Sequence, residues 1–423
     1  MSGRRASLRL AAAALLLLGQ APPADPQQQA WRALGEGRYL DAVDHARRAA
    51  FRADTGARIE PDYSAWAQMH PFLGGVLDPA AFDPSPAAPL DPGVADRFRR
   101  AELRDAVREI AARAAAARIV ILNEAHDSPR DRAFALEVAR ALRPLGYSML
   151  AAEALSNFTD AAERDSAMAR LAADGYPRRG TGTYVMDPLF ADFLRQSLAL
   201  GYRPFAYEST GFDRSDGAAE RIARREQAQA ENLAQILERN PHAKLLVFVG
   251  YGHLMETPRV TPEGRLEWMA ARLKRLTGLD PLTIDQTLFD ETQATDRAYR
   301  ALLEPRLGRR PAIPFLGGAP LLGGRYGSGV DLQVVHPPLR LVRGRPDWMR
   351  RIGRRRVEIP RRLLPVSGRR LVQAFVAEEP DDAIPLDQIV VETGRPAPPL
   401  MLPRGHRVRW AFQDPLPMAP SAR

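Results

Sequence analysis

The stretch "ARIVILNEAHDSPRD", residues 117–131, decides the fold class. It begins as a short β-branched and aliphatic run, which is typical of a strand buried on both faces of a sheet. The run stops at Asn123, and Glu124 and His126 follow within three residues. Packing alone does not call for an acid and an imidazole at the end of a buried strand, so this strand end is a candidate functional position.

Helical and strand-like segments alternate around this stretch. Strands that alternate with helices of ten or more residues indicate a mostly parallel sheet with helices on both faces. We therefore expect an α/β domain over residues 94–305. The helical patterns are at 97–116, 130–146, 218–240 and 266–278, and the strand-like runs are at 118–122, 147–154, 201–209, 243–253 and 281–289.

The segments outside this domain have other patterns. Residues 26–93 combine a short helical hairpin with a Pro-rich linker, and residues 306–423 contain short alternating runs typical of a small β-rich domain. Residues 1–25 place arginines before an apolar run and small residues, which is the order of a signal peptide. We therefore expect a soluble periplasmic or secreted protein, with no transmembrane span after signal cleavage.

Composition narrows the classes of function. The chain has 60 basic and 51 acidic residues, and its densest basic run, at 350–362, has no interleaved aromatic residues. This argues against nucleic-acid binding and indicates a solvated face that suits an anionic surface. The absence of cysteine and of a Gly-x-Ser-x-Gly elbow argues against the usual covalent mechanisms of hydrolysis.

Four predicted strands end in residues that can carry chemistry. In an open parallel sheet the ligand crevice lies outside the carboxyl ends of the strands. One such residue is most often a helix cap or a loop residue, but four coincident strand ends favour a shared site. The candidate catalytic residues at these ends are Glu124 and His126, Glu153, Glu208, and His253.

The spacing of these residues suits water activation. Glu124 and His126 are two positions apart, so in extended chain they project to the same side. An imidazole beside a carboxylate suits a general base, and either His126 or His253 could activate water in this way. On the long predicted helix, Arg225 and Asn232 are seven residues apart and share a face, and Arg225 could stabilise an oxyanion if that face is turned toward the crevice rather than toward solvent.

Further positions are candidate substrate contacts. Two glycines flank Tyr251 and allow the backbone to approach a ligand closely. Residues 156–188, called the lid segment, are an insertion between two predicted strands, and they are expected to form either a helical lid that carries Tyr184 as a substrate contact or a plain solvated loop. The substrate-binding candidates are Asn123, Tyr184, Asn232 and Tyr251.

Taken together, these motifs resemble one superfamily. "NEAH" at 123–126 is similar to the Gly-Glu-x-His motif of the erythromycin-esterase/ChaN-like superfamily, which also includes the TraB and Tiki proteins, and "GYGH" at 250–253 matches its Gly-x-x-His motif. "RREQAQAENL" at 224–233 resembles the Arg-Asp-x-x-Met-Ala-x-Asn helix of the esterase branch. The glutamates of "AAEA" and "AYES" stand where that branch has strand-end acids.

The resemblance implies a site but not a substrate. Members similar to erythromycin esterase are metal-independent hydrolases with a histidine base, Tiki proteins are metal-dependent proteases, and ChaN binds haem. The chain departs from the pattern at Asn123, which replaces glycine, and at Glu226 and Gln229, which replace aspartate and methionine. We expect Asn123 to keep the geometry because asparagine tolerates a left-handed turn.

Three functions stay open from the sequence. The first is a hydrolase that acts on an ester, lactone or amide in a small-molecule or peptide substrate, with no cofactor favoured. The second is a haem- or metal-binding protein that uses the same crevice, with zinc or manganese on Glu124, His126 and His253, or haem on Tyr207 or Tyr251. The third is a non-catalytic envelope interaction protein. The sequence does not indicate the oligomeric state.

Overall fold

A computed structural model describes residues 25–76, 87–211, 217–261, 264–289 and 294–416. The predicted signal peptide and part of the Pro-rich linker lie outside these ranges. Among the helices within them, none has both the length and the apolar character that a membrane span requires.

The helices begin and end where the sequence supplies caps. Asp91, Asp105, Asp160 and Asp187 each accept a hydrogen bond from a backbone N–H of the helix that follows. The α-helices in the described residues are α1 (Pro26–Gly35), α2 (Tyr39–Ala50), α3 (Asp62–Met69), α4 (Pro92–Arg100), α5 (Ala106–Ala114), α6 (Pro129–Leu142), α7 (Ala161–Asp174), α8 (Pro188–Ala199), α9 (Ala218–Arg239), α10 (Met269–Thr277) and α11 (Ala294–Leu303).

The strands are longest at the centre of the main sheet and from residue 369 onward. They are β1 (Glu102–Asp105), β2 (Ile119–Glu124), β3 (Tyr147–Ala152), β4 (Arg203–Phe205), β5 (Lys244–Gly250), β6 (Arg259–Thr261), β7 (Gly264–Leu266), β8 (Leu282–Asp285), β9 (Ala312–Leu316), β10 (Ala319–Pro320), β11 (Leu332–Gln333), β12 (Leu341–Val342), β13 (Arg345–Pro346), β14 (Arg355–Val357), β15 (Arg369–Val376), β16 (Asp387–Glu392), β17 (Leu400–Leu402) and β18 (Val408–Gln413).

The main sheet has six strands in the order β11-β8-β2-β5-β3-β4, and every neighbouring pair is parallel. Short antiparallel sheets built from β12 to β18 follow it. These features confirm the predicted fold class, an α/β protein with a small β-rich part at its C-terminal end. The register of β2 and β5 pairs Glu124 with Gly250 and so brings two of the predicted motifs side by side.

The two faces of β2 bury alternate residues. Val120 and Leu122 pack in one core cluster with α5, α6 and α8, whereas Ile119 and Ile121 pack in another with α9 and α10. Since successive side chains of a strand point to opposite faces, an uninterrupted aliphatic run is what a strand covered by helices on both sides needs. This double burial holds the carboxyl end of β2 in place.

The structure corrects two boundaries. β11 extends the main sheet beyond β8, and β9 pairs with β1, so the α/β domain continues past the predicted end at residue 305. The predicted helix over 97–116 is interrupted, because β1 pairs with β9 and the Asp105 side chain then caps α5. A third helix, α3, joins the predicted hairpin of α1 and α2.

Buried arginines fasten the C-terminal part to the rest. Arg345 is 1% exposed, and it donates to both carboxylate oxygens of Asp387 at 2.7 Å and to the carbonyl of Gly74 at 2.6 Å. Arg354 donates to Asp192 of α8 at 3.0 Å. These contacts join the N-terminal helices, α8 and the C-terminal strands.

Candidate functional site

The predicted strand-end residues come together at one edge of the main sheet. Glu124 is the last residue of β2, Glu153 follows β3, Glu208 lies three residues after β4, and His253 lies in the turn after β5. These strands are neighbours and parallel, so their carboxyl ends share one edge. His126 and, from α9, Arg225 complete the set of predicted catalytic residues gathered there.

Glu124 orients the imidazole of His126. Its Oε1 lies 3.0 Å from His126 Nδ1, and its Oε2 accepts a hydrogen bond from Arg132 Nε at 2.8 Å. Arg132 also donates to the His126 carbonyl at 2.6 Å and to Asp187 at 2.5 Å. A carboxylate at Nδ1 favours the neutral tautomer with its proton on Nδ1, which leaves Nε2 as a proton acceptor.

Gly250 makes room for this imidazole. A Cβ atom on Gly250 would lie 2.5 Å from Cε1 and 2.6 Å from Nε2 of His126, closer than any real contact. The same Cβ would lie 3.1 Å from a carboxylate oxygen of Glu153. The first glycine of "GYGH" is therefore required by the close approach of the ring edge to the β5 backbone.

Two tyrosines enclose the His126 ring. Tyr184 of the lid segment stacks on it with 4.1 Å between ring centroids and 14° between planes, and Tyr251 meets it edge-on at 5.0 Å. The Tyr184 hydroxyl donates to Gln68 of α3 at 2.7 Å, which ties the lid segment to the N-terminal helices. The His126 side chain is only 12% exposed, so Tyr184 and Tyr251 form its immediate surroundings.

Asn123 supports the turn at Tyr251 and does not line the crevice. It is fully buried, and its amide nitrogen donates to the Tyr251 carbonyl and to Asp285, both at 2.8 Å. Its amide oxygen accepts from the Gln286 N–H at 2.8 Å. This position corrects the expected substrate contact and the expected left-handed turn: Asn123 continues β2, and Tyr251 adopts positive φ, at 43°.

Arg225 links two of the strand-end acids. Its Nε donates to Glu208 at 3.0 Å, and its Nη2 donates to both Glu153 and Glu208. The other oxygen of Glu153 accepts from the Gly250 N–H at 2.5 Å. Burial alone would raise the pKa of this carboxyl, but the two imidazoles and Arg225 outweigh burial and lower the pKa of Glu153 to about 2. Glu153 is therefore ionised at neutral pH.

His253 forms a second imidazole–carboxylate pair. Its Nδ1 lies 2.6 Å from Glu226 Oε1, off the alignment of an ideal hydrogen bond, and its Nε2 lies 3.2 Å from an Arg225 nitrogen. Burial opposes the imidazolium, but the carboxylates of Glu153 and Glu226 outweigh burial and raise the pKa of His253 above its ordinary value of 6.5. The protonated form of His253 therefore extends to higher pH than that of a free histidine.

The polar stripe of α9 faces the site and not solvent. Gln229 is buried and donates to Glu208 at 3.0 Å, next to the contacts of Arg225. Asn232 donates to the Tyr207 carbonyl at 2.9 Å and so holds the segment that carries Glu208. In this arrangement Asn232 supports the backbone, and a direct contact with substrate stays a prediction.

Three further residues act at the site and were not predicted. Arg132 holds Glu124 and is itself paired with Asp187, and Glu226 pairs with His253. Glu226 is 1% exposed, and its second oxygen accepts from the Met269 N–H at the start of α10 at 2.7 Å. The sequence signal for Glu226 was its position next to Arg225 in the α9 motif. Adjacent residues of a helix point in different directions, so only the packing of α9 shows which of the two side chains pairs with His253.

The donors at the site do not fit the predicted metal set. In the described ranges, no group of three or more His, Asp or Glu side chains is arranged to hold a metal ion. Both oxygens of Glu124 already have partners, and a cation on His253 Nε2 would lie beside the Arg225 guanidinium. Tyr207, a predicted haem ligand, is fully buried. We therefore derive no chemical step through a metal or haem.

Comparison with known proteins leaves the family unassigned. No family model and no curated protein matches the chain. Similar solved structures include the type III effector HopBA1, at 14% identity over 47% of this chain and 89% of that one, with a TM-score of 0.32. Another is RRSP, a MARTX toxin effector domain from Vibrio vulnificus CMCP6, at 15% identity and TM-score 0.34, where the match covers 62% of this chain and 55% of that one. Similarity this low assigns neither family nor activity.

Gly250→Ala tests the close approach of His126 to β5. We expect the added methyl group to displace the imidazole and to lower the free energy of unfolding by about 1–3 kcal/mol, the usual cost of overpacking. The Cε1–H resonance of His126 should shift. Gly35→Ala is the control, because no atom lies within 4 Å of its added Cβ. Equal behaviour of the two variants in urea denaturation and in the NMR spectrum would contradict the geometry.

Glu226→Gln tests the charge that raises the pKa of His253. We expect a lower His253 pKa in an NMR titration, whereas Glu231→Gln, on an exposed position of the same helix, leaves it unchanged. Because the folded-state pKa is raised, the wild type gains stability that is complete below about pH 6.5 and is lost as pH rises through the folded-state value. A His253 pKa that does not respond to Glu226→Gln would show that this carboxylate is not the cause.

Proposed function

We propose that the protein is an exported hydrolase in which His126 activates water. The observation that carries this proposal is the Glu124–His126 pair, whose Nδ1 is bound to a carboxylate while Nε2 lies at the carboxyl edge of the sheet beside Gly250. An imidazole held in this way is a general base of the type used in hydrolysis. The signal-like segment at residues 1–25 supports export.

Hydrolysis at this site would proceed without a covalent enzyme intermediate. His126 Nε2 takes a proton from water, and the resulting hydroxide attacks the substrate carbonyl, so that a C–O bond forms and the carbonyl oxygen becomes an oxyanion. Arg225 supplies positive charge for that oxyanion. As the tetrahedral intermediate collapses, the bond to the leaving group breaks, and the His126 imidazolium returns its proton to that group.

The carboxylates have separate roles in this scheme. Glu124 fixes the His126 tautomer and stabilises the imidazolium that forms after proton transfer. Glu153 and Glu208 hold the Arg225 guanidinium at the edge of the sheet, where its side chain is still 34% exposed. Arg225 therefore combines a fixed position with access to a ligand, as an oxyanion-stabilising group requires.

The substrate class is an ester, a lactone or an amide. The aromatic faces of Tyr184 and Tyr251 beside His126 suit an apolar or cyclic group next to the scissile bond. The convergence of Glu124, His126 and His253 with the strand-end acids supports the resemblance to the esterase branch of the erythromycin-esterase/ChaN-like superfamily. The side chains that could bind a metal ion already have hydrogen-bond or ion-pair partners within the protein. This supports the mechanism without a metal or other cofactor that we propose.

His126→Gln tests this function. Wild type, His126→Gln and the exposed control His406→Gln are compared on 4-nitrophenyl esters, aliphatic lactones and a 4-nitroanilide. We expect hydrolysis of at least one class, with kcat lowered by about 10²–10⁴ in His126→Gln and unchanged in His406→Gln. Hydrolysis unaffected by His126→Gln, or none on any class, would contradict the proposal.

Assays in the presence of a chelator test the metal-free mechanism. EDTA should leave the rate of the wild type unchanged, since no step depends on a divalent cation. Loss of activity on chelation with recovery on added zinc or manganese would replace water activation by His126 alone with a metal-dependent mechanism.

A further inference from the structure

A second cavity lies at the junction of the α/β domain and the C-terminal strands. Its volume is about 860 Å³, within the range of small-molecule sites, and it shares no lining residue with the candidate catalytic site. Its walls come from α6, from the segments at 308–310 and 337–340, and from residues 342–356. The last of these contains most of the basic run at 350–362, which the proposed hydrolysis does not use.

The side chains that line this cavity carry mostly positive charge. Seven arginines line it, against the two acids Glu137 and Asp347. Glu137 is engaged by Arg351, whose Nε lies 3.2 Å from its carboxylate. Guanidinium groups of one sign around a concave surface repel one another and create a positive potential there, which a bound anion would relieve.

Several of these arginines have no carboxylate partner. Among the residues that the structure describes, no ion pair or side-chain hydrogen bond is formed by four of the seven, which are Arg309, Arg340, Arg350 and Arg356. The folded chain elsewhere pairs its arginines extensively, as Arg345 and Arg354 show a few residues away. The four guanidinium groups thus carry donors that are available to a ligand from three different segments of the chain.

The remaining walls suit an organic ligand. Pro337, Pro338 and Trp348 supply rigid apolar surface between the arginines. Trp348 is 3% exposed, and its indole N–H has no hydrogen-bond partner among the described residues. A buried donor without a partner is costly, and a hydrogen bond from this N–H to an acceptor atom of a ligand would offset that cost.

We propose that this cavity binds a compact anion that carries two or more phosphate groups. Guanidinium forks match phosphate oxygens in pairs, and a phosphate offers more charge and more acceptors than a carboxylate does. The four arginines together carry more positive charge than one phosphate group neutralises. The same chemistry is found in a free oligophosphate or sugar phosphate and in the phosphorylated headgroup of a lipid.

Isothermal titration calorimetry with inorganic tripolyphosphate tests the site at low ionic strength. The test variant is Arg350→Glu/Arg356→Glu, and Arg350→Gln/Arg356→Gln removes the same donors with a smaller change of charge. Arg259→Glu/Arg404→Glu is the matched control, because it makes the same change of net charge at exposed positions outside the cavity. We expect binding by wild type and control, and affinity at least about tenfold lower in both cavity variants.

A vesicle arm distinguishes the two sources of phosphate. Co-sedimentation with phosphatidylcholine vesicles that contain a bisphosphorylated inositol lipid, lost in the cavity variants, with no response to tripolyphosphate, would assign the site to a lipid headgroup. Binding of tripolyphosphate alone would assign it to a free oligophosphate. Binding of neither ligand, or equal weakening in the Arg259→Glu/Arg404→Glu control, would overturn the proposal. The proposed hydrolase activity depends on none of these outcomes.

Discussion

The ion-pair network of Arg225 is the interaction on which the site depends. This one guanidinium contacts Glu153, Glu208 and His253, which follow three different strands. A partly buried carboxylate without a partner costs several kcal/mol, so the ends of β3 and β4 can carry acids side by side only when a cation bridges them. The network also fixes α9 against the edge of the sheet, and α9 in turn supplies Glu226 to His253.

A second arginine, Arg132, organises the half of the site that contains Glu124 and His126. It is fully buried, it holds Glu124 in line with His126, and it pairs with Asp187 at the start of α8. Because Asp187 also caps that helix through the Leu189 N–H, the Arg132 guanidinium connects the lid segment to Glu124 and His126. The position of Tyr184 over His126 follows from this connection and from the contact of Tyr184 with Gln68.

The sequence predicts that the strand-end residues lie together, because the order of the strands along the chain and their parallel arrangement are enough to bring these residues to one edge of the sheet. A buried aliphatic run indicates where β2 lies, and parallel neighbours bring Glu124 and His253 to one edge whatever the details of packing. Residues that act from helices are harder to predict. Arg132 and Glu226 reach the site only through the orientation of α6 and α9, which a single sequence does not report.

The other differences between the prediction and the structure concern a very short strand and the side chain of Asn123. β11 has two residues, too few for a periodic pattern, and its pairing with β8 extends the α/β domain beyond the predicted boundary. The sequence marks Asn123 as a departure from the glycine of the motif. Its side-chain amide donates to the Tyr251 carbonyl, and the chain does not turn at Asn123. Its hydrogen bonds run to residues more than a hundred positions away, and only the folded chain shows those partners.

The decisive measurement is which ring nitrogen of neutral His126 carries the proton. A long-range ¹⁵N–¹H correlation spectrum of the neutral ring distinguishes a protonated from a bare ring nitrogen. We predict a proton on Nδ1, toward Glu124, and a bare Nε2 that accepts a proton from water. A proton on Nε2 of the neutral ring would leave no base at the edge of the sheet and would contradict water activation by His126.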